Sequence, residues 1–151
     1  MEKYLDKIDL KLLKLLQKNA RYSLKQLAQA VFLSSPAVSA RLERLEAQGY
    51  IAGYQAMIDP LKMGYHLTAF INLKMSPEMK AAFLAFVQGC PHVVECHYVT
   101  GPYSMLLKVV FSDTTALDAF VGELQRFGTT QTQIVFSTPI APRGLPIEDI
   151  E

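Results

Sequence analysis

The stretch "SSPAVSARLERLEAQG" (Ser34–Gly49) carries the signals of a short helix and of both its ends. Ser34 or Ser35 can cap the start, and the proline that follows favours Ser35, because proline suits the first helical position. Gly49 suits the left-handed residue just past the end of a helix. Three apolar residues share one face and predict packing against neighbouring helices: Val38, Leu42 and Leu45.

Two arginines on this helix, Arg41 and Arg44, have no carboxylate three or four residues away. Helical side chains pair at those spacings, so the sequence offers them no local partner. The surface opposite the apolar face is small and polar near the helix start, which would allow close approach to base edges. The pattern predicts that the missing partners are on DNA, and that Arg44→Ala weakens DNA binding while the fold stays intact. The alternative is two ordinary solvated arginines.

Two helices are predicted before this one. The first has apolar residues at three-to-four spacing from Asp6 onward: Ile8, Leu12, Leu15 and Leu16. Asp6 and Asp9 are expected to stabilise its N-terminus. Ser23 and Gln26 form a capping-box pattern that opens the second helix, with an apolar stripe of Leu27, Ala28 and Val31. Three helices followed by "YIAGYQAMID" (50–59), expected to be a short extended segment, match the helix-turn-helix plan, whose third helix enters the major groove.

Composition and charge divide the 151-residue chain into two parts. Residues 1–60 hold nine basic and six acidic residues, and residues 61–151 hold six and eight. The excess of basic charge in the first part predicts that this part meets polyanions. No apolar run approaches the ~18 residues that span a bilayer, and the start has no apolar stretch of a signal peptide. A cytoplasmic protein with no membrane partner is expected.

The second part alternates between strand and helix signals. Strands are predicted over "HLTAFINLKM" (66–75), "VVECHYVTG" (93–101), "SMLLKVVFS" (104–112) and "TTQTQIVFST" (129–138). Helices are predicted over "SPEMKAAFLAFVQG" (76–89) and "SDTTALDAFVGELQRFG" (112–128), the second closed by Gly128. The order β-α-β-β-α-β is the ferredoxin-like arrangement, with two helices on one face of an antiparallel sheet. The other face is expected to be apolar and to mediate dimerisation.

Several segments together resemble the Lrp/AsnC family of transcription regulators. They are "LDKIDLKLLKLLQKNARYSLKQLA" (5–28), "LSSPAVSARLERLEAQGYIAGYQAMIDPLKMG" (33–64) and "VVECHYVTG" (93–101). The resemblance implies an α+β fold, with an N-terminal (winged) helix-turn-helix followed by a ferredoxin-like βαββαβ effector and oligomerisation domain. The expected boundaries are a DNA-binding domain over 1–50, a strand or linker over 51–64, an effector domain over 65–139 and a C-terminal tail over 140–151. The family similarity further implies double-stranded DNA as partner, dimers that assemble to octamers or other higher forms, and a small amino acid bound between subunits.

The resemblance also implies two sets of site residues. Five match the family's recognition-helix positions: Ser34, Ser35, Ser39, Arg41 and Arg44. Seven match or flank its effector site: Thr100, Gly101, Pro102, Tyr103, Ser104, Thr132 and Ile134. Ser104 stands where the family has an acid, and Ile134 where it often has threonine, so the site is more apolar than usual. Leu or Met is therefore the expected effector, with an idle site as the alternative; Tyr103 can equally serve edge or interface packing.

Other chemistry is set aside. "CPHVVECH" gathers Cys90, His92, Cys96 and His97, but the spacing matches no usual zinc site. Cys96 is expected to be a core thiol. No nucleophile motif, phosphate loop or metal triad is present, so neither an enzyme nor a cofactor is expected. The competing hypothesis is an amino-acid-sensing interaction module without specific DNA binding.

Overall fold

The computed structural model describes residues 5–148 and divides the chain into two compact units. The helical unit runs up to Met57 and includes the chain again from Pro139 onward. The sheet unit is Ile58–Thr138. No helix among the described residues is long and apolar enough to cross a bilayer.

The helical unit contains α1 (Lys7–Lys18), α2 (Leu24–Val31) and α3 (Ser35–Ala47). The predicted apolar stripes meet in one core, which includes Leu12, Leu27, Ala28, Val31 and Val38. Both predicted N-terminal signals form capping boxes, one from Asp6 and Asp9 at α1 and one from Ser23 and Gln26 at α2. Gly49, with φ of 77°, takes the predicted left-handed conformation after α3.

The cap of α3 differs from the prediction. Ser34 caps the helix, and Ser35 is already its first residue. The Ser34 backbone is extended, and its hydroxyl accepts a hydrogen bond from the Ala37 N–H at 3.3 Å. Pro36 is then the second helical residue, where a missing N–H costs nothing because the first turn has no intrahelical acceptor for it. Beyond the helix, residues 51–59 form no strand.

The chain that re-enters the helical unit, residues 139–148, is called the returning segment below. Gln17 of α1 makes two hydrogen bonds to the main chain of Leu145, which together are called the clasp below. The Gln17 amide donates to the Leu145 carbonyl at 3.1 Å, and the Leu145 N–H donates to Gln17 Oε1 at 2.6 Å. A Cβ on Gly144 would lie only 2.7 Å from the Gln17 side chain. Leu145 and Ile147 line a cavity of about 670 Å³ together with residues of α1 and residues 50–57.

The sheet unit has the predicted βαββαβ order. Its elements are β1 (Leu67–Met75), α4 (Lys80–Gln88), β2 (Val93–Tyr98), β3 (Met105–Phe111), α5 (Thr114–Leu124) and β4 (Gly128–Ile134). The strands are antiparallel in the order β2-β3-β1-β4. Alternate residues of β1 and β3 are buried, and they pack with Phe83, Val87, Leu117, Phe120, Leu124 and Phe127 in one apolar core.

Gly128 begins β4 and does not close α5, which ends at Leu124. Its backbone is pressed against β1, because a Cβ built there would lie 2.0 Å from the Lys74 carbonyl oxygen. Only glycine permits this approach. The residue is therefore required by strand packing, whereas the sequence pattern had suggested a helix stop.

The other face of the sheet is more polar than predicted. The residues of β1 and β3 that alternate with the buried ones lie on this face. Among them, Phe70, Leu106 and Val110 are half-buried. Next to them, Glu95 accepts a hydrogen bond from Lys108 at 3.3 Å and pairs with the His97 ring at 3.2 Å. The His97 contact is the main cause that lowers the pKa of Glu95, with burial opposing and Lys108 helping. Dimerisation through this face stays a prediction.

Candidate nucleic-acid interface and effector site

The start of α3 presents a small surface to solvent. Ser34, Pro36, Ala40 and Glu43 are exposed, and Ser35 and Ser39 are half-buried. The Ser39 hydroxyl donates a hydrogen bond to the Glu43 carboxylate at 3.1 Å, one turn further along the same face. From Ser34 to Ala40 the chain carries only short side chains, and none of these would hold the helix start away from a groove.

Arg41 and Arg44 have partners within the protein, so the premise that they lack one is wrong. Arg41 Nη1 lies 2.7 Å from Asp6 Oδ2 and 2.8 Å from Asp9 Oδ1. Arg44 Nη2 lies 2.6 Å from Asp9 Oδ2. The partners are on α1, more than thirty residues away in sequence, and a search within α3 cannot find them. Their contact with DNA stays a prediction.

The four residues form a charge network of which Asp9 is the centre. The Asp9 side chain is 1% exposed, while those of Arg41 and Arg44 are 27% and 28% exposed. Burial alone would raise the pKa of Asp6, but the Asp9 backbone N–H and the Arg41 guanidinium outweigh it, and the pKa is lowered. The same pairing with Asp6 raises the pKa of Arg41. Each partner of this pair thus favours the charged form of the other.

Asp9 is the functional candidate that the sequence interpretation missed, because it assigned this residue to the helix N-terminus alone. Asp9 does lie at this N-terminus, where its Oδ2 accepts the Asp6 N–H at 3.1 Å as part of a capping box. A further signal was present in the pattern. Asp9 is three residues before Leu12 and seven before Leu16, so it lies in phase with the buried stripe of α1. A carboxylate at such a position requires a cationic partner when buried.

The predicted effector residues of the β2–β3 turn lie together at one end of the sheet. Thr100, Gly101 and Pro102 are exposed, and Tyr103 is half-buried. Gly101 has φ of 105°, which favours glycine. Ser104 is anchored to β1, because its N–H and its hydroxyl donate to the Leu73 carbonyl at 3.0 and 3.3 Å. The hydroxyl that replaces the family's acid is thus occupied within the chain.

The two other predicted effector residues, Thr132 and Ile134, are on β4. Within a single chain they do not lie near the β2–β3 turn. Thr132 pairs with Ile71 and Ile134 with Ala69, whereas Ser104 precedes Met105, which pairs with Leu73. Strand β1 lies between β3 and β4, so Ser104 and the two β4 residues are about 10 Å apart across the sheet. They are also displaced from each other along the strand direction, by two or more residues of β1. The seven residues therefore form no single pocket within one chain.

The cysteine and histidine cluster is dispersed in the structure. Cys90 donates to the Phe86 carbonyl at 3.3 Å, and the His92 ring stacks on Phe111 at a centroid distance of 4.8 Å. Cys96 is exposed on the edge strand β2, so its assignment as a core thiol is wrong. Within residues 5–148 no group of three or more candidate ligands is placed to hold a metal ion.

Known proteins resemble the chain over both units. Residues 5–52 match the winged helix-turn-helix DNA-binding domain, and residues 68–145 match the Lrp/AsnC ligand binding domain. The DNA-binding transcriptional activator DecR of Escherichia coli is 40% identical over 123 residues, 80% of this chain and 81% of that protein. The HTH-type regulator YezC of Bacillus subtilis is 37% identical over 134 residues, 89% of this chain and 95% of that protein.

A solved structure gives the same result for the fold. A transcriptional regulator from Neisseria meningitidis, crystallised as a complex with L-Met, superimposes with a TM-score of 0.89 at 32% identity. The alignment covers 95% of this chain and 97% of that one. The similarity to a solved structure therefore extends over both the helical unit and the sheet unit.

Proposed function

The chain belongs to the Lrp/AsnC family of transcriptional regulators, and from this premise we propose that it binds double-stranded DNA through the start of α3 and responds to a small amino acid. The family is one of regulators, not of enzymes. The DNA-contacting residues that we propose are five polar residues of this helix and its cap, all exposed or half-buried: Ser34, Ser35, Ser39, Arg41 and Arg44.

The observation that carries the DNA proposal is the small, exposed start of α3 on a three-helix unit. Ser34, the N-cap residue, is exposed at the start of the helix. Ala40 is exposed in the next turn, and its short side chain leaves the backbone there accessible. A helix with such a surface can approach base edges in a major groove. The basic excess of the first sixty residues supplies attraction to phosphate.

A gel-shift experiment with the DNA upstream of the protein's own gene tests this proposal. We expect binding that is tighter than to random DNA of equal length and that weakens steeply with salt. For a dimer that makes about six phosphate contacts, the log–log slope is about −5. A slope near zero, or equal affinity for both DNAs, would favour the alternative of an interaction module without specific DNA binding.

For the effector we propose Leu or Met, bound at a site to which two chains contribute. The L-Met complex of the related Neisseria regulator supports an amino acid with a long apolar side chain. The distance between the β2–β3 turn and β4 supports a shared site: Thr100–Ser104 from one chain would face Thr132 and Ile134 from another. Backbone N–H groups of the glycine turn can serve a carboxylate, and Ile134, half exposed, can supply apolar wall.

Calorimetric titration with a panel of amino acids, on protein whose assembly state is measured in parallel, tests the effector proposal. Leu or Met should bind more tightly than Asn, Asp or Lys. Thr132→Val should weaken binding, while Thr115→Val, an exposed threonine on α5, serves as the control. Tight binding of Asn or Asp would contradict the proposal, and no binding by any amino acid would mean an idle site.

A shared site requires self-association, for which we propose a dimer that assembles further to an octamer. We also propose that the protein works in the cytoplasm, where its DNA partner lies. Sedimentation at several concentrations, with and without Leu or Met, tests the assembly. A monomer at all concentrations would contradict both the assembly and the shared effector site.

A further inference from the structure

The charge network of the helical unit joins the beginning of α1 to the middle of α3. Asp9 is the centre, with one oxygen on Arg41 at 2.8 Å and the other on Arg44 at 2.6 Å. Asp6 Oδ2 accepts a hydrogen bond from the same Arg41 nitrogen, Nη1, at 2.7 Å. Two carboxylates thus balance two guanidinium groups, and the network is neutral as a whole.

Capping of α1 does not account for the burial of Asp9. The matching position in the α2 capping box is Gln26, which also returns a side-chain bond to its cap residue, yet Gln26 is exposed. Asp9 makes that same bond at 3.1 Å, but its two shorter contacts go to the arginines of α3. The comparison separates two roles for Asp9: a cap, which needs no burial, and a partner for α3.

The arginines keep donors for an outside partner. A guanidinium has five N–H groups, and the contacts to Asp6 and Asp9 use only Nη1 of Arg41 and Nη2 of Arg44. About a quarter of each side chain is exposed. Together with Asp6 and Ala40 they line a shallow hollow of about 320 Å³ at the surface. Any DNA contact by these arginines is therefore made from a fixed position with balanced charge.

We propose that Asp9 is a positioning residue that determines DNA specificity, because it holds Arg41 and Arg44 in one geometry and balances their charge. An arginine without this partner would swing freely and reach phosphates of any sequence, since phosphate contacts carry no direct sequence information. Asp9 suppresses such contacts and directs the remaining N–H groups. The proposal rests on the proposed DNA-binding function and adds a residue that does not itself touch DNA.

The test is Asp9→Asn, which keeps size and shape and removes the charge. We expect affinity for the protein's own upstream DNA to fall about tenfold or more, while affinity for random DNA rises. The salt slope with random DNA should steepen by about one to two, as freed arginines add phosphate contacts. Asp118→Asn, an exposed carboxylate on α5, makes the same change of net charge and should leave all three quantities unchanged.

Two further variants keep the test decisive. Asp9→Asn combined with Arg44→Gln should remove most of the extra affinity for random DNA, because one freed guanidinium is gone. Asp6→Asn preserves the cap, since Asn caps as well as Asp, and it releases Arg41 from one partner. It should change the affinities in the same directions by a smaller factor, and it tests the proposal even if Asp9→Asn fails to fold.

The outcomes are distinguishable. A parallel loss of affinity for both DNAs in Asp9→Asn, with no change in Asp6→Asn, would show a merely structural role and overturn the proposal. An unchanged ratio of specific to random affinity in both variants would also overturn it. If the wild type itself shows no preference for its upstream DNA, the proposed function fails, and this inference fails with it.

Discussion

The helical unit and the sheet unit are stabilised by different means. The sheet unit buries aromatic and aliphatic side chains between two helices and one face of the sheet. The helical unit has a smaller apolar cluster, and within the described residues it contains the one buried charged side chain, Asp9. A small unit buries a smaller fraction of its surface. Capping boxes, the charge network and the returning segment therefore carry a larger share of its stability.

This comparison predicts that the two units respond to different substitutions, and the largest effect is expected in the sheet unit. Phe83 is fully buried and makes an edge contact with Phe127 at 5.8 Å. Phe83→Ala should destabilise the sheet unit by about 3–5 kcal/mol, from lost burial and a residual cavity. Residue-resolved amide exchange is the suitable measurement, because two units need not unfold as one.

The neighbouring Leu84, which is more than one-third exposed, provides the control for Phe83. Leu84→Ala should cost less than about 1 kcal/mol, because little area is lost from the core. If Phe83→Ala lowers the protection of α1–α3 as strongly as that of the sheet, the units unfold together. The comparison would then apply to packing only, and not to stability.

Arg44→Ala is expected to have the next largest effect, in the helical unit. It removes the cationic partner of Asp9 Oδ2, which keeps only the Asp6 N–H. This should cost about 2 kcal/mol, less than complete loss of the ion pair, because Arg41 remains. This reverses the prediction from the sequence that the fold stays intact. Exchange of the α1 and α3 amides measures it, with exposed Arg21→Ala as the control, expected within about 0.5 kcal/mol. Equal losses of stability in Arg44→Ala and Arg21→Ala would show that the charge network does not stabilise the helical unit.

Gln17→Ala should have a smaller effect, confined to the returning segment. The substitution removes two hydrogen bonds to Leu145, which are worth about 1 kcal/mol in total at an exposed site. Amide protection should fall at Leu145 and along α1 and remain constant in the sheet. Gln29→Ala, an exposed glutamine on α2, is the matched substitution. Unchanged protection at Leu145 would mean that the clasp adds nothing to the apolar contacts of Ile147.

The smallest effect is a pH dependence in the helical unit. The pKa of Asp6 is lowered in the fold, so its contribution to stability is complete above the unfolded pKa and is lost as the pH falls through the folded one. The wild type should therefore lose protection in α1 below about pH 4. Asp6→Asn should show a weaker dependence over that range. Exchange at pH 5 and pH 3 compares them, and equal slopes would contradict a role for the Asp6 carboxylate.

Local features of the fold could be predicted from the sequence, because their signals lie within a few residues. The capping boxes of Asp6 and Ser23 and the turn at Gly49 are of this kind. The order of strands and helices in the sheet unit followed from a change of apolar period. The cap of α3 was misplaced by one residue, because proline is acceptable at either of the first two helical positions.

Features that depend on distant residues could not be predicted. The Arg44–Asp9 pair spans 35 residues and the Gln17–Leu145 contact spans 128. Gly128 illustrates the same limit, because a glycine after a helix suggests a stop, and only the position of Lys74 on a neighbouring strand explains the requirement. For the effector site, the residues were chosen by resemblance, and their separation in one chain depends on strand order, which spacing alone does not provide.

The returning segment makes the sheet unit an insertion. The chain leaves the helical unit after Met57 and re-enters it at Pro139, so two covalent crossings join the units. After a single chain break in residues 51–60, α1 would still be held to the chain that follows the sheet by the Gln17–Leu145 hydrogen bonds. The fragment 1–57 alone would lack Leu145 and Ile147 from the lining of its cavity. Ordering the sheet unit also shortens the effective loop between Met57 and Pro139, which lowers the entropy cost of closing it.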